Sequence, residues 1–243
     1  MYTRVMRLAD ANMVAEVGAA RLLRTLISLQ NVKPMVNLCL TGGRVANLMY
    51  ASFAEMVAGS ALDPARLALW WGDERYVPST HPERNSQQAL SLLARTIPIA
   101  SANTHLMPGL EGNVDPTEAA FAYANELGDT TFDICLLGVG EDGHVASIFP
   151  QHPSMEPTAA TVIGVTGAPK PPAERISLTF KPLNRSSQVW FLVPGEAKAE
   201  AVRRALDADM TIPAAHVKGT DVTLWFLDEE SASQLPQPFT CSL

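Results

Sequence analysis

The sequence predicts an α/β protein: a mainly parallel sheet with helices on both faces, a three-layer, doubly wound arrangement of the Rossmann-like kind. Two observations lead there. Short, continuous apolar runs alternate along the 243 residues with segments of helical periodicity. The runs are bounded by glycine or charged turns, as strands buried on both faces require.

In chain order, a helix begins near Asp10, a plausible N-cap, and carries Ala20, Leu22, Leu23, Leu26 and Ile27 on its apolar stripe. Met35–Leu40 is the first buried strand, followed by Thr41-Gly42-Gly43 and a helix through Leu48 and Phe53 to Val57. Leu67–Trp71 is the next strand and ends in Gly72-Asp73-Glu74-Arg75. Asn85–Arg95 and Pro116–Leu127 read as helices. Phe132–Leu137 is a strand, and its glycine-rich turn with Asp142 and His144 leads into the expected start of another helix. Val162–Val165, Arg175–Thr179 and Val189–Val193 read as further strands. A helix over Glu196–Leu206 and a strand over Val222–Leu227 close the fold. The prolines of Ala168–Pro172 mark a loop, and no repeat or low-complexity tract divides the chain, so one domain over residues 1–243 is expected.

Bulk properties narrow the function. A net charge of −7 without a basic block argues against nucleic acid as a partner. It leaves room for an anionic small substrate, which a few local cations can hold. No stretch reaches the roughly 18 to 20 apolar residues of a membrane span, and the charged N-terminus lacks the apolar core of a signal peptide. Three cysteines, Cys39, Cys135 and Cys241, show no CxxC spacing, and two lie in expected strands. A reducing, cytoplasmic setting follows as the expectation.

Four loops carry side chains suited to chemistry. Thr41-Gly42-Gly43-Arg44 joins a buried strand to a helix N-terminus, where free N–H groups suit a phosphate. It is neither a Walker loop nor a dinucleotide fingerprint. Trp70-Trp71-Gly72-Asp73-Glu74-Arg75 offers a planar arginine donor for a carboxylate or developing oxyanion, with Asp73 or Glu74 expected to hold it. The turn with Asp142 and His144 pairs an acid with an imidazole at the carboxyl end of a parallel strand, where ligands bind in such sheets. Late in the chain stand Arg175 and Lys198, the latter in the expected first turn of a helix, where the dipole disfavours a cation unless an anion is bound. Metal or nucleophile chemistry finds no support. His81, His105, His144, His152 and His216 lack HxxxH or paired Cys/His spacing, and Ser147 sits past the turn without a GxSxG elbow.

Taken together, these segments resemble the 6-phosphogluconolactonase family across nearly the whole chain. The resemblance rests on Leu40–Gly43, Trp70–Pro78, the helix led by Asn85, Leu136–Pro150, Pro169–Phe180, Val193–Val202 and Pro213–Val217, in the family's order. It is similar above all to the high-GC Gram-positive branch, which has a like LTGG loop and PKPP segment. The resemblance implies a sugar-phosphate isomerase-like fold and hydrolysis of 6-phospho-D-glucono-1,5-lactone in the oxidative pentose phosphate pathway. It implies no metal or organic cofactor and a sugar-phosphate lactone as the partner molecule; a monomer or weak homodimer is expected. By position, it makes His144 the base that activates water, Asp142 its neighbour, and Arg75 the group near the lactone carbonyl, with Asp73 as a further catalytic candidate. Thr41, Gly42, Gly43, Arg44, Arg175 and Lys198 then form the sugar-phosphate site. One departure stands out: many members read Ser-Gly-Gly-Ser-Thr-Pro where this chain reads Thr41-Gly42-Gly43-Arg44-Val45-Ala46.

Two rival readings share this fold. Glucosamine-6-phosphate deaminases follow the Asp-Gly-His turn with Asn-Glu-Pro, whose glutamate assists the histidine. Here the matching stretch is Ser147-Ile148-Phe149-Pro150, with no acid. A sugar-phosphate-sensing regulatory domain would bring a helix-turn-helix module, for which this chain has neither the length nor a basic helix.

Overall fold

A computed structural model describes residues 2–94, 96–111 and 115–236; Cys241 and the expected helix end at Arg95 lie outside the described residues. Six strands form a wholly parallel sheet. They are β1 (Tyr2–Leu8), β2 (Val36–Leu40), β3 (Leu67–Trp71), β5 (Ile134–Leu137), β8 (Gln188–Val193) and β9 (Val222–Asp228), in the order β1-β9-β8-β5-β2-β3. A second, antiparallel sheet holds β4 (Asp73–Arg75), β7 (Arg175–Leu178) and β6 (Val162–Val165).

Side chains alternate across the main sheet and feed two cores. Leu38, Leu40, Leu69 and Trp71 face α1 (Ala11–Gln30), α2 (Arg44–Val57) and α3 (Asn85–Leu93). Cys39, Trp70 and Leu137 face α4 (Pro116–Leu127), α6 (Ala199–Leu206) and the small sheet. The adjacent tryptophans thus serve opposite cores, and neither belongs to a loop. Cys39 and Cys135 are opposite each other in the β2–β5 register, buried and free. Burial, then the neighbouring Cys135, holds the Cys39 thiol well above its ordinary pKa, so it packs as a small apolar group. Asp10 caps α1 as expected, its carboxylate accepting from Met13 N at 2.9 Å.

Four expectations need correction. Strand β1 was not foreseen, because its first four residues are exposed at a sheet edge and show no buried run. The segments over β6 and β7 are strands but pair antiparallel outside the main sheet, together with β4. Gly72 makes this possible: its N–H donates to Leu40 O in the main sheet and its carbonyl accepts from Leu178 N in the small one. No helix follows the Asp142/His144 turn. Ala146 takes φ +48°, Val145 and Ile148 form an isolated bridge, and Pro150 bars helical continuation. Glu196–Leu206 splits into a 3-10 turn, Glu196–Lys198, and α6 proper, which leaves Lys198 as the N-cap of α6. A short helix, α5 (Phe180–Leu183), links β7 to β8. Among the described residues, no helix is long and apolar enough to cross a membrane.

The turn between the two sheets is held by Glu74. Its carboxylate is fully buried and accepts from Arg75 N at 2.9 Å, Asn85 N at 2.7 Å and Ser86 N at 2.9 Å. Arg84, also buried, stands 3.6 Å away. An outside carboxylate therefore caps α3, which has no side-chain cap of its own. Removing one partner of a buried pair leaves an uncompensated charge, which costs about 3 to 5 kcal/mol. Glu74→Gln, which keeps the volume, should lower stability by that order in urea unfolding. A loss below about 1 kcal/mol would mean that Arg84 and the α3 amides find other partners at little cost.

Candidate active site

The loops leaving β2, β3, β5, β8 and β9 converge on one cavity of about 810 Å³ at their carboxyl ends. Thr41, Gly42, Gly43, Arg44, Asp73, Arg75, His144, Arg175 and Lys198 all line it. Asp142 does not reach the lining; it stands behind His144.

The His144 pair is built by its turn. Gly140 N donates to His144 O at 2.9 Å and Gly143 N to Gly140 O at 3.0 Å, which folds the segment back on itself. A Cβ on Gly140 would lie 2.0 Å from His144 Nδ1, so only glycine lets the imidazole sit there. His144 Nδ1 and Asp142 Oδ1 are 2.6 Å apart. Burial pushes the Asp142 carboxyl up, but the hydrogen bond and charge of His144 outweigh this and bring it down to about 2. An ionised carboxylate only accepts, so Nδ1 carries the hydrogen toward Asp142; in the neutral imidazole that leaves the lone pair on Nε2. Phe149 packs against the ring at 4.8 Å between centroids.

On β4, alternation sends Asp73 and Arg75 toward the cavity and Glu74 away from it. The expected grip of Asp73 or Glu74 on the Arg75 guanidinium is not found. That group donates to Glu83 O, and Nε is buried without a partner; Glu74 takes only the backbone N–H. The physical reason is the pleat, which puts Glu74 on the opposite face and commits it to α3. Asp73 instead accepts from Ser147 Oγ at 2.7 Å and Asn85 Nδ2 at 3.3 Å.

The end of the cavity where the sequence places the phosphate has three parts. Gly43, at φ +107°, is the N-cap of α2 and no side chain caps that helix. The hydroxyl of Tyr50 donates to Thr41 O at 2.8 Å and accepts from Thr41 N at 3.0 Å, which fixes the entry to the loop. Arg44 is exposed at the rim. Arg175 is buried and donates through Nε to Pro172 O at 3.0 Å and through one terminal nitrogen to Lys170 O at 2.9 Å. It therefore braces the 170–172 loop and puts that loop's Lys170 on the cavity wall. Burial lowers the Arg175 pKa, and Arg75 adds to that, while Asp73 opposes it. Lys198 Nζ is 3.8 Å from Glu141 Oε1. Burial draws its pKa below the ordinary value, against the pull of Glu141.

Asn85, Lys170 and Phe149 also line the cavity, and the residue types alone gave no cue to them. Lys170 stands in an ordinary proline loop, and Asn85 looks like any residue opening a helix. Among the described residues, no three His, Cys, Asp or Glu side chains gather as a metal site.

Residues 9–225 match the family model of glucosamine-6-phosphate isomerases/6-phosphogluconolactonase. A 6-phosphogluconolactonase of Streptomyces coelicolor is 43% identical over 242 residues, covering 94% of this chain and 93% of the relative. One from Mycobacterium leprae is 39% identical, covering 90% and 94%. The crystal structure of 6-phosphogluconolactonase from Thermotoga maritima superposes with a TM-score of 0.83 at 28% identity, covering 93% of this chain and all of that one. The chain belongs to the glucosamine-6-phosphate isomerase/6-phosphogluconolactonase family.

Proposed function

We infer that this chain hydrolyses 6-phospho-D-glucono-1,5-lactone to 6-phosphogluconate, with His144 as general base and Arg75 at the oxyanion. The observation that carries the residue assignment is the 2.6 Å pair of His144 and Asp142 beside a cavity that also holds Arg75, Arg175 and Lys198. The activity is that of the relatives sharing about two-fifths of the sequence end to end.

The residues supply each step. Water attacks the lactone carbonyl carbon as His144 Nε2 takes its proton; Asp142 holds the imidazole and balances the imidazolium charge. The carbonyl oxygen becomes an oxyanion, met by the Arg75 guanidinium and by backbone N–H groups of the glycine loops. The tetrahedral carbon then expels the ring oxygen, which takes the proton back from His144. The products are an open chain with a free hydroxyl and a carboxylic acid that ionises in water. The phosphate rests on the open first turn of α2, with Thr41, Gly42 and Gly43, and on the cations Arg44, Arg175 and Lys198. The lining runs from Ala9 to Glu230, which supports a single domain as the working unit.

His144→Ala should lower kcat by about 10² to 10⁴, the usual worth of one general base. The measurement is lactone hydrolysis corrected for the spontaneous rate, with glucosamine 6-phosphate run in parallel. Wild-type kcat in the variant removes His144 from the mechanism. Deamination of glucosamine 6-phosphate would favour the family's other reaction.

Arg75→Lys should fold normally yet lose activity, because a point charge does not reproduce a planar, two-pronged donor. Full activity in the lysine variant would reduce Arg75 to a brace for the Glu83 carbonyl.

The lowered pKa of Lys198 sets a pH dependence. The ammonium is the charged form at low pH, so a lowered pKa means its charge is lost earlier as pH rises. Phosphate stays doubly charged above its second pKa of about 6. Affinity for 6-phosphogluconate, measured by calorimetry from pH 7 upward, should therefore weaken before an ordinary lysine would titrate. Lys198→Arg should flatten that decline; an unchanged slope would show that Lys198 does not face the phosphate.

A further inference from the structure

We propose that Asp73 is a fixed acceptor for the substrate hydroxyl beside the lactone carbonyl, and that Ser147 and Asn85 are the positioning residues that aim it. The inference rests on the lactonase reading given above and extends it to residues outside the acid–base pair.

Asp73 is buried yet lines the cavity. Its two oxygens are held from two directions: Oδ2 by the Ser147 hydroxyl at 2.7 Å and Oδ1 by Asn85 Nδ2 at 3.3 Å. Ser147 is itself wholly buried, and its N–H donates to Ser177 Oγ on β7 at 3.1 Å. The one serine thus links the turn that carries His144 to both strands that carry arginines, β4 and β7. Asn85 is as constrained. Its amide donates to Asp73 O at 3.0 Å, which fixes which end is nitrogen, and its Oδ1 is buried without a partner. It presses so closely on the first loop that a Cβ on Gly42 would stand 1.9 Å from that oxygen.

Held in this way, Asp73 has its orientation decided before substrate arrives. A carboxylate accepts hydrogen bonds and cannot donate them, so what it meets in the cavity must be a donor. The lactone offers hydroxyl groups. Asp73 and Arg75 lie on one face of β4, two residues or about 6.6 Å apart along the strand. With Arg75 at the carbonyl, the donor toward Asp73 is the hydroxyl on the adjacent carbon. The role is alignment: this contact turns the carbonyl carbon toward the water on His144, and displacement of a reacting group by about 1 Å can cost about 10² in rate.

The experiment is a double-mutant cycle in kcat/KM on the phosphorylated lactone, with thermal unfolding recorded for every variant. Ser147→Ala should lower kcat/KM by about 10 to 100-fold and fall mainly on kcat. Asp73→Ala should lose more. Ser147→Ala added to Asp73→Ala should cost nothing further, because the serine acts through the carboxylate. Asn85→Ala should behave as Ser147→Ala does, which keeps the test open if one variant folds poorly. Independent, multiplying losses would mean that Ser147 only supports the fold, and would overturn the proposal. A second arm uses wild-type protein and the 2-deoxy lactone. A site built around a substrate hydroxyl should disfavour it by about 10²-fold or more, whereas equal turnover would overturn the hydroxyl contact. Failure of His144→Ala to reduce activity would sink the base assignment and leave this cycle intact, so the two failures are distinguishable.

Discussion

The Glu74 carboxylate sits where water does not reach, and three backbone N–H groups together with Arg84 are committed to it. A group so buried is tolerable only when its hydrogen-bonding capacity is met, so β4 has one acceptable facing. Because strand residues alternate, that facing sends Asp73 and Arg75 into the cavity. The same carboxylate starts α3 at Asn85 and brings the Asn85 amide against both Asp73 and Gly42. Three loops distant in sequence are therefore placed by one side chain that never meets the substrate.

Charge in the cavity is divided by the same logic of satisfied and unsatisfied groups. The acids near it are largely committed to protein donors: Asp10 caps α1, Asp228 accepts from Gly195 N at 2.9 Å, and Asp73 is held by Ser147 and Asn85. The cations are less committed. Arg44 lies exposed at the rim, Arg75 has an unpartnered Nε, and Lys198 has only a 3.8 Å contact with an exposed glutamate. A chain of net charge −7 can thus present a locally cationic cavity suited to a phosphate. Arg175 shows that not every cation in such a place is free, since two of its nitrogens already brace the 170–172 loop.

Much of this was legible in the sequence for definite reasons. The strands buried on both faces, β2, β3, β5, β8 and β9, are continuous apolar runs, and local composition finds them. The loops at their ends carry glycines and charges, and these became the candidate site; nine of its ten residues line one cavity, with Asp142 just behind His144. What escaped depends on partners far along the chain. Strand β1 is a polar edge whose only signal is its pairing with β9. The small sheet needs Leu178 to find the carbonyl of Gly72, over a hundred residues earlier. The turn after His144 resembled a helix start because the pull of Ser177 and Asp73 on Ser147 is invisible in its neighbours.

The family contains two chemistries, so membership alone does not choose between them; the surroundings of His144 favour the lactonase reading. Proton transfer in an isomerising deamination calls for a second acid at the imidazole. At that position this chain has Phe149, buried and 4.8 Å from the histidine ring between centroids. An apolar ring there leaves Asp142 as the imidazole's one carboxylate partner among the described residues and shields that side of it from water. On the mechanism proposed above, one imidazole oriented by Asp142 takes a proton from water and returns it to a leaving oxygen. On that reading the pair suits the opening of a lactone, whose carbonyl is already electrophilic, and lacks the second acid that the deaminase turn places beside its histidine.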